Sequence, residues 1–109
     1  MPLEKAARIY ELLGKPGEAV KASLQAAELQ LKAQEVQRAV QNWLTVVKLQ
    51  PENMTARTRL GMVYERTGRK PEAVTEYLVA AGILQRSGDL AKAVQLADYA
   101  LKLMPENPE

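Results

Sequence analysis

Leu60-Gly61-Met62-Val63-Tyr64-Glu65-Arg66-Thr67-Gly68-Arg69-Lys70-Pro71-Glu72-Ala73-Val74-Thr75-Glu76-Tyr77-Leu78-Val79-Ala80 is the stretch that decides the fold. Within it the small residues Gly61, Ala73 and Ala80 alternate with the large residues Leu60, Tyr64 and Tyr77 at helical spacing, and Gly68 sits at the midpoint. Small side chains facing large ones let two helices approach closely. A glycine stops one helix well, and a proline suits the first turn of the next. The stretch predicts two short antiparallel helices.

The rest of the chain repeats this plan. Tyr10-Glu11 meets Tyr64-Glu65 at an offset of 54 residues, with no gap. In the same register Gly14 meets Gly68, Glu18-Ala19-Val20 meets Glu72-Ala73-Val74, and Leu24 meets Leu78. Ala26-Ala27 meets Ala80-Ala81, Ala39-Val40-Gln41 meets Ala93-Val94-Gln95, and Pro51-Glu52-Asn53 meets Pro105-Glu106-Asn107. About 17 pairs are identical, and they fall mainly on helix-packing and turn residues, the signature of an internal duplication. The expected organisation is a single helical-repeat domain made of two three-helix units, residues 1–53 and 54–109. The closing copy of the Pro-Glu-Asn turn suggests a piece cut from a longer array.

Turn residues divide each unit into three helices. The first unit is predicted to hold helices over residues 2–13, 16–33 and 35–49. Gly14 ends the first of these, and Gln50-Pro51-Glu52-Asn53 ends the third, because a proline cannot continue a helix. The break near Gln34 is poorly marked, since the second unit has Gly88 at that place. The second unit is predicted to hold helices over residues 53–67, 70–86 and 89–104, with Asp89 as an N-cap. Connections this short force antiparallel neighbours. No segment reads as a strand.

Composition agrees with an all-α fold. Apolar residues make up 47% and charged residues 26% of the 109-residue chain, while Phe is absent and aromatics are 5%. That is ordinary for a globular domain built from good helix formers. No apolar run approaches the roughly 20 residues a membrane span needs, and no signal segment opens the chain. There is no Cys and no His, so thiol chemistry and the commonest metal ligand are both missing. A cytoplasmic setting is the default expectation. The formal charge of +2 falls short of the basic bias that phosphate neutralisation imposes on nucleic-acid binders.

With these residues in hand, the chain resembles the tetratricopeptide repeat family, whose unit is a 34-residue helix-turn-helix. Leu60-Gly61, Tyr64, Gly68, Ala73, Tyr77 and Ala80 follow that pattern, with Arg57 where Trp is common and Gln85 where a closing Pro is common. The frame laid from Tyr77 gives Ala80-Ala81, Leu84, Gly88, Ala93, Ala97, Ala100 and Pro105; laid from Ser23 it gives Ala26-Ala27, Gln30, Gln34, Ala39, Trp43, Val46 and Pro51. The resemblance implies a right-handed stack of about six antiparallel helices, an α-solenoid. One departure matters. The duplication spans three helices, whereas the family's arrays repeat every two, so equivalent helices of the two units would fall on opposite faces. Which face is concave is thereby left open.

Candidate chemistry is sparse. Glu72 and Glu76, four apart, form a carboxylate pair of the kind used in acid–base work, but acids near a helix N-terminus are ordinary solvated residues. No Ser or Thr has a His to activate it, and no glycine cluster makes a phosphate cradle. No enzyme, metal site or cofactor is expected. Trp43, Tyr10, Tyr64 and Tyr77 are expected to fill the core, and Tyr99, outside the frame, to be the exposed aromatic. The basic stretch Arg57, Arg59, Arg66, Arg69, Lys70 is the one local charge asymmetry. Arg59 and Arg66, seven apart, share a helix face with Met62 between them. Such a face suits an acidic or C-terminal peptide through charge-assisted hydrogen bonds. Some family members clamp a peptide carboxylate with a Lys and an Asn; the matching places here are Thr58 and Met62, so that clamp is not carried over.

The expected function is a non-catalytic module that binds a peptide or protein partner, acidic in character. Its groove would be lined by Thr55, Thr58, Arg59, Met62, Glu65 and Arg66. A structural spacer or self-association unit is the alternative, since an unpaired apolar helix flank tends to pair with itself. An RNA-binding helical repeat is the second alternative.

Overall fold

A computed structural model describes residues 3–104, the Tyr10 side chain apart. Six α-helices follow one another: α1 (Leu3–Leu12), α2 (Pro16–Lys32), α3 (Val36–Leu49), α4 (Met54–Arg66), α5 (Lys70–Arg86) and α6 (Leu90–Leu103). Among the described residues there is no strand. The expectation of an all-α helical repeat is met. The helix start at Pro2, the packing of Tyr10 and the closing Pro-Glu-Asn turn lie outside the described residues.

The duplication reappears in the helix limits. α2 and α5 begin and end at residues 54 apart, as do α3 and α6. Turn chemistry explains why. Gly14, Gly68 and Gly88 adopt positive φ of 73°, 81° and 92°, the left-handed conformation that closes helix C-termini. The amide of Arg69 reaches back to the Tyr64 carbonyl at 2.7 Å, and that of Asp89 to the Leu84 carbonyl at 3.0 Å. The Asp89 side chain then accepts from the Lys92 amide at 3.2 Å, capping α6 as expected, and Asn53 caps α4 through the Ala56 amide at 2.9 Å.

Gln34 makes the same left-handed turn without being a glycine. Its φ is 62°, and Glu35 N donates to Gln30 O at 2.8 Å as in the glycine turns. A side chain in this region is disfavoured by about 1 kcal/mol. Gln34→Gly, which installs the residue found at the equivalent Gly88, is therefore expected to stabilise the first unit by about 0.5–1 kcal/mol. Urea unfolding would read this as a higher midpoint.

The chain divides into two compact units, residues 1–56 and 57–109. In the first, α2 packs against both α1 and α3. Ala19, Ala27, Ala39, Trp43 and Val46 are fully buried there, small residues on α2 making room for the indole from α3. Trp43 is core, as its spacing suggested. In the second unit α5 packs on α6, and Leu60, Ala73, Ala80 and Ala100 are fully buried. Tyr64 and Tyr77 are 8% and 7% exposed, while Tyr99 is 45% exposed.

Candidate partner-binding face on α4

All six residues expected to line a groove lie on α4. Thr55 and Arg66 are exposed; Thr58, Arg59, Met62 and Glu65 are half-buried. Thr55 belongs to the first compact unit and the other five to the second. Helical geometry sets Arg59, Met62 and Arg66 along one stripe, because residues three, four and seven apart share a face.

The basic stretch around this stripe is only partly available to a ligand. Arg57 Nη1 pairs with Glu76 Oε1 at 3.0 Å, and the two side chains are only 18% and 13% exposed. That pair ties the start of α4 to the middle of α5. Arg69 places Nη2 and Nε at 2.9 and 3.1 Å from Glu72 Oε2 and lays its guanidinium 4.7 Å above the Tyr64 ring. The Arg69 hydrogen bond holds the Glu72 carboxyl below the usual carboxylate range. Glu72 and Glu76 thus each serve a different arginine rather than each other. Arg59 is likewise engaged by other groups of the chain. Arg66, on the last turn of α4, is exposed.

Glu65 is locked from the other side. Tyr77 OH of α5 donates to its Oε1 at 3.1 Å, and Tyr99 OH of α6 donates to its Oε2 at 2.7 Å. The two rings meet edge to face, centroids 5.5 Å apart and planes at 77°, the geometry that ring quadrupoles favour. Tyr99 is exposed as the sequence suggested, but its tie to Glu65 was not foreseen. A signal existed: the two residues are 34 apart, one repeat length of the family.

These contacts shift the phenols. Burial raises Tyr77, and the Glu65 carboxylate raises it further, above the ordinary value near 10. Tyr99 is raised mainly by its bond to Glu65, and Tyr64 mainly by burial, partly offset by Arg69. An unfolded tyrosine loses its proton near pH 10 whereas these stay protonated in the folded state, so above that pH the folded state binds more protons. Stability is then fully present below about pH 10 and falls as pH rises beyond it. Urea midpoints between about pH 8 and pH 11 are expected to show this decline, with Tyr99→Phe flattening part of it.

Among the described residues no group of three or more His, Cys, Asp or Glu is placed to hold a metal ion. Among the same residues no helix is long and apolar enough to cross a membrane.

No curated protein matches the chain. The sequence profile of the tetratricopeptide repeat matches residues 24–85, more than half of the chain. The matched segment begins within α2 and ends within α5. It spans most of the frames set at Ser23 and Arg57, which are 34 residues apart, and takes in little of the frame set at Tyr77. In those frames α4 is the first helix of a repeat. The chain belongs to the tetratricopeptide repeat family.

Proposed function

We propose that the protein is a non-catalytic interaction module whose α4 stripe receives an acidic segment of a partner protein. Tetratricopeptide repeats generally bind other proteins, and stacked helix pairs suit that role by presenting extended surfaces. The observation that carries the finer reading is the division of labour among the charges of α4. Arg57 is consumed by Glu76, and both oxygens of Glu65 are occupied by tyrosine hydroxyls. Arg66 stays exposed beside Met62, on the stripe that also carries Arg59. Thr55 and Thr58 extend the same helix toward its N-terminus. The two three-helix units, residues 1–53 and 54–109, and a cytoplasmic setting are parts of the same proposal.

Selection of peptides from a random displayed library on the intact protein tests this. Asp- and Glu-rich sequences are expected to be enriched, with affinity falling as salt rises. Arg59→Glu combined with Arg66→Glu should weaken the selected peptides by tenfold or more, about 1.4 kcal/mol, with helicity retained. Peptides that bind the double variant as well as the parent would refute the α4 assignment.

Self-association is the second reading, supported by Leu90, Val94 and Leu101 of α6, which are 58–60% exposed. Sedimentation at two concentrations decides it: a concentration-independent monomer removes it.

A further inference from the structure

The duplication allows one unit to be compared with the other position by position. Glu65, Tyr77 and Tyr99 have as their counterparts, 54 residues earlier, Glu11, Ser23 and Thr45. The helices that carry them correspond as well, since α2 matches α5, α3 matches α6, and α1 and α4 end at equivalent residues. In the second unit the phenols of buried Tyr77 and half-exposed Tyr99 donate to both oxygens of the carboxylate, joining three helices. In the first unit a serine and a threonine stand where those rings would be. The space is left open: a cleft of about 300 Å³ lies among α1, α2 and α3, lined by Glu4, Lys5, Ala7, Arg8, Glu11, Ser23, Asn42 and Thr45.

The cleft has an unsatisfied floor. Ser23 is 1% exposed, and its Oγ has no hydrogen-bond partner among the described residues. A buried hydroxyl left in this state is costly, so it favours an incoming donor or acceptor. Thr45 spends its hydroxyl on the Gln41 carbonyl at 3.1 Å, which turns its methyl group into lining. Asn42 gives its amide to Gln30 Oε1 at 2.7 Å and to the Arg38 carbonyl at 3.3 Å. Gln30 also bonds Glu4, and Arg38 bonds Glu4 at 3.1 Å. That acid is therefore already engaged.

We propose that this cleft is a receptor for the tyrosine side chain of a partner protein. The guest hydroxyl donates to Glu11 within reach of Ser23, and the guest ring takes the place that Thr45 leaves vacant. The second unit supplies the template, because there the same carboxylate position is served by tyrosines of the chain itself. One detail fixes which ring is mimicked. Gly61 lets Tyr77 pass, since a Cβ there would come within 2.6 Å of the Tyr77 ring. The equivalent residue is Ala7, whose methyl group closes that path, so the guest enters where Tyr99 sits. Lys5 and Arg8 also line the cleft, but a carboxylate guest has no proton to give Glu11, and an aliphatic guest would strip water from that carboxylate without replacing its donors. This rests on the interaction-module reading only in taking the phenol to belong to a partner protein; the site is distinct from the α4 stripe.

Nuclear magnetic resonance titration of the intact chain with p-cresol, toluene and p-tolyl phosphate tests the assignment without knowledge of the partner. With p-cresol, saturable shifts are expected at the amides of Ala7, Glu11, Ser23 and Thr45. Toluene should bind about tenfold more weakly, the loss expected for a charge-assisted hydrogen bond. Glu11→Gln, an exposed substitution that leaves the core untouched, should bring p-cresol toward the toluene level. Thr45→Tyr installs the second unit's own ring and should abolish the shifts. Tighter binding of the phosphate, equal binding of toluene, or undiminished p-cresol binding by Thr45→Tyr would each overturn the proposal. None of these outcomes bears on charge reversal at Arg59 and Arg66, so the two proposals fail separately.

Discussion

Gly61→Ala is expected to destabilise the protein by about 2 kcal/mol, even though alanine is the better helix former by about 1 kcal/mol. The reason is the Tyr77 ring. A Cβ at position 61 would lie 2.6 Å from Tyr77 Cε1 and 2.9 Å from both Cδ1 and Cζ. Tyr77 is 7% exposed, and its hydroxyl is held by Glu65, so the ring cannot swing away without giving up that bond and its contact with Tyr99. The first unit shows the alternative solution, Ala7 with Ser23. Tyr77→Ser should therefore reverse the sign. In that background Gly61→Ala is expected to stabilise by about 1 kcal/mol, a coupling of about 2–3 kcal/mol between the two sites. Urea unfolding of the four proteins measures it. Simple additivity would show that the glycine is not there for the ring.

Glu76→Ala is expected to cost about 2–3 kcal/mol. Its carboxylate lies 3.0 Å from Arg57 Nη1 in a largely buried setting, and removing it takes a close carboxylate from a mostly buried guanidinium. The residual exposure of both side chains keeps the cost below that of a fully buried pair. Replacing both residues, Arg57→Met with Glu76→Met, should recover most of the loss, because apolar side chains of similar length need no compensating charge. Midpoints of urea unfolding at unchanged slope provide the measurement. A single variant as stable as the parent would show the pair to be an ordinary surface contact.

What the sequence made legible was whatever depends on local chemistry. Helix ends at Gly14, Gly68 and Gly88 follow from a residue that tolerates positive φ, and the 54-residue register follows from identities clustered at turns. The turn at Gln34 carried no such residue; its place was legible only through the register that sets it against Gly88, and its left-handed φ of 62° only in the structure. The arginine stripe on α4 was legible from spacing. Which arginines it keeps was not, because Arg57 and Glu76 meet across 19 residues and Glu65 and Tyr99 across 34. Pairings of that kind depend on how helices are rotated against each other, which side-chain periodicity alone does not specify. The same holds for the first-unit cleft. Serine and threonine are unremarkable in a helix, and they gain meaning only where the second unit shows tyrosines in the same places.

A partner is expected to meet the protein on α4. Nuclear magnetic resonance mapping on the isotopically labelled intact chain, titrated with a selected acidic peptide, tests it most directly. The expected result is saturable shifts at Thr58, Arg59, Met62 and Arg66, lost on charge reversal at Arg59 and Arg66. Shifts gathered instead around Leu90, Val94 and Leu101 of α6, with α4 silent, would contradict it.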